Sequence, residues 1–126
     1  MLLNQASAAT STAILNALSA AATANATSGS NMWLDVRQYD GEIIVTQNLG
    51  AVTGTIAGKL QSATDDDGTG AADISGYTFS TNTANTTSKL VVDPKKVPGG
   101  FLGYVGTIAT GPSLVSVVAS GKKHVV

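Results

Sequence analysis

Trp33-Leu34-Asp35-Val36-Arg37-Gln38-Tyr39-Asp40-Gly41-Glu42-Ile43-Ile44-Val45-Thr46-Gln47-Asn48 is the stretch that decides the fold class. Trp33, Asp35, Arg37 and Tyr39 alternate with Leu34, Val36 and Gln38, which is the period of a strand. Ile43 to Asn48 reads as a second strand. Asp40-Gly41 lies between the two runs and predicts a tight hairpin, because glycine accepts the positive φ that a type I′ turn requires.

The same texture continues toward the C-terminus. Thr55–Ala63 reads as a strand with Ile56, Gly58 and Leu60 on one face. Asp65-Asp66-Asp67-Gly68-Thr69-Gly70 reads as a turn or loop. Ala72–Phe79 is a strand broken at Gly76, and Asn82–Thr87 is a polar loop. Ser88–Asp93 is a strand stopped by Pro94. Phe101–Thr110 is a strand broken by Gly111-Pro112, and Ser113–Ser120 is the last. Short strands with turn signals at this spacing, and no long helix between them, predict a mainly β chain: a single antiparallel β-sandwich or a small barrel. Glycines inside the strand runs (Gly58, Gly76, Gly103, Gly106) predict bulges or close backbone approach.

Toward the N-terminus the texture differs. Residues 1–31 are rich in Ala, Ser, Thr and Asn and contain no charged side chain. They are expected to form an arm preceding a sandwich domain at 32–126. Ile14, Leu15 and Leu18 have helical spacing, so a short helix over 11–22 is one expectation for that arm. Its Thr and Asn content weakens it. A weakly structured arm that orders on a neighbour is the other.

The 126 residues suffice for one domain, able to bury roughly two-thirds of its unfolded surface without staples. Cysteine is absent, which excludes disulfides and thiolate metal sites. Only 12% of residues are charged, for a formal net charge of -1. Nucleic-acid binders carry a basic face that neutralises phosphates, so no nucleic acid is expected as a partner. A surface of Ala, Ser, Thr, Asn and Gly suits contact with other subunits better than free monomeric life. No window approaches 18 consecutive apolar residues, so no membrane span is expected. Met1-Leu2-Leu3-Asn4-Gln5 has neither the positive start nor the apolar stretch of a secretory signal.

Catalytic chemistry has few candidates. The single histidine is His124, and no Gly-x-Ser-x-Gly elbow accompanies it. Asp65, Asp66 and Asp67 form the densest carboxylate cluster. On an EF-hand loop Asp65 and Asp67 fit the first and third positions, Thr69 the fifth and Gly70 the sixth. The twelfth, which needs a bidentate Glu, is Gly76. An irregular calcium loop and a solvated turn are the two readings, and the second is adopted: no metal, cofactor or catalytic residue is expected, nor enzymatic activity. Gly58-Lys59-Leu60 lacks the rest of a phosphate loop. Asn25-Ala26-Thr27 and Asn85-Thr86-Thr87 match the glycosylation sequon, as chance matches in a Thr- and Asn-rich chain do. Exposed aromatics on a sandwich would instead give a glycan-binding module, with Trp33 and Tyr77 as its platform. The competing expectation places Trp33, Tyr39, Tyr77, Phe79, Phe101 and Tyr104 mostly in the core.

Several runs taken together carry a resemblance: Leu34 to Ile43, Gln47-Asn48-Leu49-Gly50, Gly54-Thr55-Ile56-Ala57-Gly58-Lys59-Leu60-Gln61-Ser62, then Asp73-Ile74-Ser75-Gly76 with Phe79, Gly106-Thr107-Ile108 and Gly121-Lys122-Lys123. Over about residues 32–123 the chain resembles the small capsid cement proteins, also called decoration or head-stabilising proteins, of tailed bacteriophages. The resemblance implies a β-sandwich, with a jelly roll as one form of it, on the outer surface of a virion capsid, made in the host bacterial cytoplasm; a phage spike, tail or surface module that binds a glycan or host receptor is the alternative. It implies a homo-trimer that clamps neighbouring major capsid subunits, with no catalytic residues to carry over. Lys95-Lys96 and Lys122-Lys123 are candidates to face an acidic shell.

Overall fold

The computed structural model describes residues 10–19, 26–80, 83–110 and 112–123. Among the described residues nine strands follow in chain order: β1 (Thr10–Ser19), β2 (Ala26–Thr27), β3 (Leu34–Asp35), β4 (Tyr39–Val52), β5 (Ile56–Ala63), β6 (Ala72–Thr78), β7 (Thr87–Val92), β8 (Phe101–Ile108) and β9 (Ser113–Lys123). They form two antiparallel sheets packed face to face. One has the order β1-β9-β4-β7. The other has the order β2-β8-β5-β6, with β3 beside β2 on the same edge of β8.

This order is that of a jelly roll, and the pairing registers explain it. Thr10 pairs with Lys122, Ala26 with Gly106, Ile43 with Val92 and Gln61 with Asp73. Every one of these pairs is centred on the Asp65–Gly70 turn. The chain is thus one long antiparallel ribbon doubled back at that turn. Rolling the ribbon up brings β4 against β9 and β5 against β8, which closes the two sheets. The expected mainly β sandwich is what forms.

Strand alternation builds the core. In β4, Ile43, Val45, Gln47 and Leu49 point inward, while Ile44, Thr46 and Asn48 point out. In β9, Val115, Val117 and Ala119 meet them from the neighbouring strand. Ile56, Leu60, Leu102, Tyr104 and Phe79 come from the facing sheet. Tyr104 and Phe79 meet edge-on with ring centroids 6.0 Å apart. Gln47 at the centre is polar and fully buried, and its Oε1 accepts a 2.5 Å hydrogen bond from the Tyr104 hydroxyl. Gly58 and Gly106 face this pair, and a Cβ on either would collide with Tyr104. Close approach is therefore what these two strand glycines supply.

Two local expectations are corrected. Asp40-Gly41 is not a hairpin. Asp35 accepts hydrogen bonds from the Arg37 backbone N–H and from its guanidinium at 2.9 and 3.0 Å, and this folds Val36–Gln38 into a single 3-10 turn. The chain then runs through Asp40-Gly41 as the start of β4. Gly41 has φ +78 and lies where the β4–β9 register slips between Asp40 and Ile44, so its positive φ serves a bulge. Within the 1–31 block, Thr10–Ser19 is a strand on β9 and not the helix allowed over 11–22. Pairing to a ready sheet edge outweighs weak helical spacing in a Thr- and Asn-rich segment. Ala26 and Ser28 of the same block also belong to the sandwich: Ala26 is buried, and the Ser28 hydroxyl accepts from the Tyr104 N–H.

Candidate functional site

The outer faces of the two sheets differ. That of the β2-β8-β5-β6 sheet is partly covered. Trp33 lies over Gly103 and against Gly68, each of which lacks the Cβ that would strike the indole, and is only 5% exposed. The acidic turn folds beside it, held by a hydrogen bond from Asn31 N–H to the Asp66 carbonyl. Farther along the same face Asp73 accepts from Lys59 and from Gln61, at 3.0 and 2.7 Å.

Among the described residues nothing folds over the outer face of β9, β4 and β7 in the other sheet. Ile44 sits between Val91 and Ser120, Thr46 between Lys89 and Val118, and Asn48 between Thr87 and Ser116. Ile44 and Val91 are the exposed large hydrophobic side chains, at 45% and 51%. The Thr87 hydroxyl donates to Asn48 Oδ1 at 3.2 Å, fixing that cross-strand pair. Among the described side chains in the middle of this face Lys89 is the charged one, and the cross-strand pair Asp40 and Lys122 stands at its end. Such a surface offers little chemistry. It offers broad contact without the cost of stripping water from charges.

The acidic turn is built to close the ribbon. Asp65 Oδ1 accepts from the N–H groups of Asp67 and Thr69, while Thr64 bonds to the Thr69 carbonyl through both its N–H and its hydroxyl. Hydrogen bonds from Thr69, side chain first, and from the Asp67 and Gly68 amides hold the Asp65 carboxyl below the usual range. These bonds give Asp65 a turn-forming role. Among the described residues no group of three or more His, Cys, Asp or Glu side chains could hold a metal. His124 lies outside the described residues.

The aromatics go where burial takes them. Tyr39, Phe79 and Tyr104 are in the core, Tyr77 is half-buried with its hydroxyl accepting from Asp93 N–H, and the Arg37 guanidinium lies 5.1 Å above the half-buried Phe101 ring. The expected platform residues Trp33 and Tyr77 are therefore not exposed together. Sequence reading missed Ile44 and Val91 as surface residues, since each lies in an apolar run. Only the cross-strand register shows which of those residues face out.

One cleft, of about 380 Å³, lies between Tyr39, Gly41 and Glu42 at the start of β4 and Asp93, Pro94 and Lys95 after β7. It belongs to an unusual partition of charge. Apart from β2 and β3, which run the same way along β8, successive strands reverse direction, so their connections lie at alternate ends of the sandwich. One end holds the 3-10 turn of Val36–Gln38, the acidic turn, the Asp93–Gly100 connection and the end of β9. All eight carboxylates (Asp35, Asp40, Glu42, Asp65, Asp66, Asp67, Asp73, Asp93) fall at or next to this end. Five of the seven cations do too: Arg37, Lys95, Lys96, Lys122 and Lys123. Lys59 and Lys89 lie in mid-strand. At the opposite end the described connections, Val52–Thr55, Ser80 with Thr83–Thr86, and Ala109, Thr110 and Pro112, carry no charge.

Among the described residues no helix is long and apolar enough to cross a membrane. No family model, curated protein or solved structure matches the chain.

Proposed function

We propose that this protein is a structural component of a phage virion, binding the outer surface of the assembled capsid and stabilising it by clamping neighbouring major capsid subunits. The observation that carries the reading is the outer face of the β1-β9-β4-β7 sheet, where the Ile44–Val91 pair is exposed amid neutral side chains and the charges are Lys89 and, at the end of the face, Asp40 and Lys122. The sequence resemblance set out above points the same way. A rigid sandwich with a neutral face can press on a shell surface spanning more than one subunit at little ordering cost. Whatever binds the assembled shell better than its free subunits stabilises the shell by mass action, and many copies multiply a modest interface of the ~1,600 Å² class. No catalytic role is assigned, and a homo-trimer is the assembly the resemblance suggests.

The test is occupancy on particles. The protein should co-sediment with purified capsids and raise the temperature at which they lose DNA. Ile44→Lys combined with Val91→Asp should leave the far-UV spectrum unchanged and lower capsid retention by at least roughly tenfold, since two charges would be buried against the shell. Absence of the protein from purified particles overturns the reading.

A further inference from the structure

Asp40-Gly41 and Asp67-Gly68 are the two places in the chain where glycine directly follows aspartate, and it follows no asparagine. We propose that Asp40 is a site of spontaneous isoaspartate formation in the folded protein, and that the fold shields Asp67 from the same reaction. The inference is independent of the capsid reading, and its test needs no capsid.

The chemistry takes water as its only reagent. The Gly41 amide nitrogen attacks Cγ of the Asp40 carboxyl. The new C–N bond forms as a carboxyl C–O bond breaks, and the hydroxyl leaves with the amide proton as water. The product is a cyclic imide, to which water adds back. Breaking the bond between Gly41 nitrogen and Cγ restores aspartate. Breaking the bond to the Asp40 main-chain carbonyl carbon leaves the chain running through Cγ, which is isoaspartate. Glycine speeds the first step because no side chain crowds the attacking nitrogen. In a folded chain the amide must also be out of its hydrogen bonds and able to approach the carboxyl, so the reaction follows local opening.

The two sites differ in that respect. On one side of β4, pairing with β7 begins at Ile43 with Val92. On the other side, pairing with β9 passes from Asp40 with Lys122 to Ile44 with Ser120. Among the described residues Gly41 therefore pairs in neither ladder, and it sits in the bulge at φ +78. Asp40, Gly41 and Glu42 are all exposed, and nothing described lies within 4 Å of the place a Gly41 Cβ would take. Gly41 also lines the cleft toward Asp93 and Lys95, which leaves room for the ring and for water.

Asp67-Gly68 is braced instead. The Asp67 N–H donates to Asp65 Oδ1 at 3.0 Å, and the Gly68 N–H donates to the Asp65 carbonyl at 3.4 Å. The carbonyls on either side, of Asp66 and Gly68, accept from the Asn31 and Ala71 N–H groups. A Cβ on Gly68 would lie 2.8 Å from the Trp33 indole, so this glycine has no space on that side to turn. The Asp65 carboxylate, held ionised in part by the Gly68 N–H, opposes loss of the proton that attack requires.

Isomerisation at Asp40 adds one carbon to the main chain between Tyr39 and Ile43. That segment precedes the β4–β7 ladder, so the sandwich keeps its pairing. The change falls instead on the Asp40–Lys122 pair.

The test is incubation of the full chain for several weeks at physiological temperature and pH, folded and in urea. Trypsin cleaves after Arg37, Lys59 and Lys89, which puts the two sites on different peptides. Isoaspartate in each is scored by an isoaspartate-specific methyltransferase and by electron-transfer fragmentation. In the folded chain Asp40 should isomerise at least roughly tenfold faster than Asp67, because two or more hydrogen bonds of about 1 kcal/mol each must first open at the turn. In urea the two rates should converge. Asp40→Asn should speed the reaction at this site, with ammonia leaving in place of water. Asp40→Glu, which would need a larger ring, should abolish it and leave the far-UV spectrum unchanged. Three results overturn the proposal: no isoaspartate at Asp40 in the folded chain, Asp67 isomerising as fast as Asp40 there, or folding slowing Asp40 as much as it slows Asp67.

Discussion

Replacing Tyr104 by Phe removes one hydroxyl from the centre of the sandwich and tests whether the two sheets are joined there by a polar link. Tyr104 on β8 and Gln47 on β4 are both fully buried, and the 2.5 Å hydrogen bond between them crosses from one sheet to the other. A buried donor–acceptor pair contributes about 1 kcal/mol net, but removing one partner alone costs about 1–3 kcal/mol, because the Gln47 Oε1 loses this donor where water does not replace it. The missing oxygen also leaves a small void beside Gly58 and Gly106, whose lack of a Cβ made room for the phenol. The expected loss is about 2 kcal/mol, or roughly 6–10 °C in Tm for a chain of this length. Urea unfolding by circular dichroism should show the midpoint fall with the slope unchanged, since the surface exposed on unfolding is the same. Tyr104→Phe with Gln47→Leu should recover part of the loss, because the pair is then apolar on both sides. A Tyr104→Phe protein within about 0.3 kcal/mol of the parent would refute the argument, since it would mean the hydroxyl does no more in the core than it does in water.

The same residue sets an alkaline limit. Burial raises the Tyr104 pKa above that of a free phenol. The unfolded chain therefore loses that proton first as pH rises, so stability is complete below about pH 10 and declines above it. Urea midpoints between pH 8 and 11 should show this decline in the parent, and Tyr104→Phe should flatten it. At the acidic end, hydrogen bonds from Arg37 hold the Asp35 carboxyl below the usual range. The stability it confers is present above the ordinary carboxylate range and is lost as pH falls through its lowered value, so Asp35→Asn should matter at pH 7 and not at pH 2. At the ribbon's turn, Gly68 and Gly70 both have positive φ, at +86 and +67, but only a Cβ on Gly68 would press on Trp33, at 2.8 Å. Gly70→Ala should cost about 1 kcal/mol of backbone strain. Gly68→Ala should cost about 2–3 kcal/mol, with a change in Trp33 fluorescence that Gly70→Ala lacks.

Much of this architecture was legible one strand at a time. Thr55–Ala63, Ser88–Asp93 and Phe101–Thr110 read as strands and are β5, β7 and β8 to within two residues at each end. Pro94 stops its strand, while Gly76, at φ +87, does not break β6, which runs on to Thr78, but lies where its register with β5 slips. These are local effects, set by alternation and by residues with special backbone freedom. Asp40-Gly41 misled because a glycine with positive φ suits a bulge as well as a hairpin, and the Asp35–Arg37 contact decided between them. Of the candidate surface, the neutral composition was visible. Its outward Ile44 and Val91 were not.

What the sequence alone determined, then, is the inventory: short strands, their turns, the absence of cysteine, and few charges. It also held those charges in blocks, 35–42, 59–73, 89–96 and 122–123, separated by long neutral stretches. Nothing local gives that spacing a meaning. The tertiary structure does, because in an antiparallel ribbon rolled about the Asp65–Gly70 turn every second connection returns to the same end. Blocks spaced by about two strands are thereby gathered at one pole of the sandwich, and the stretches between them become the other.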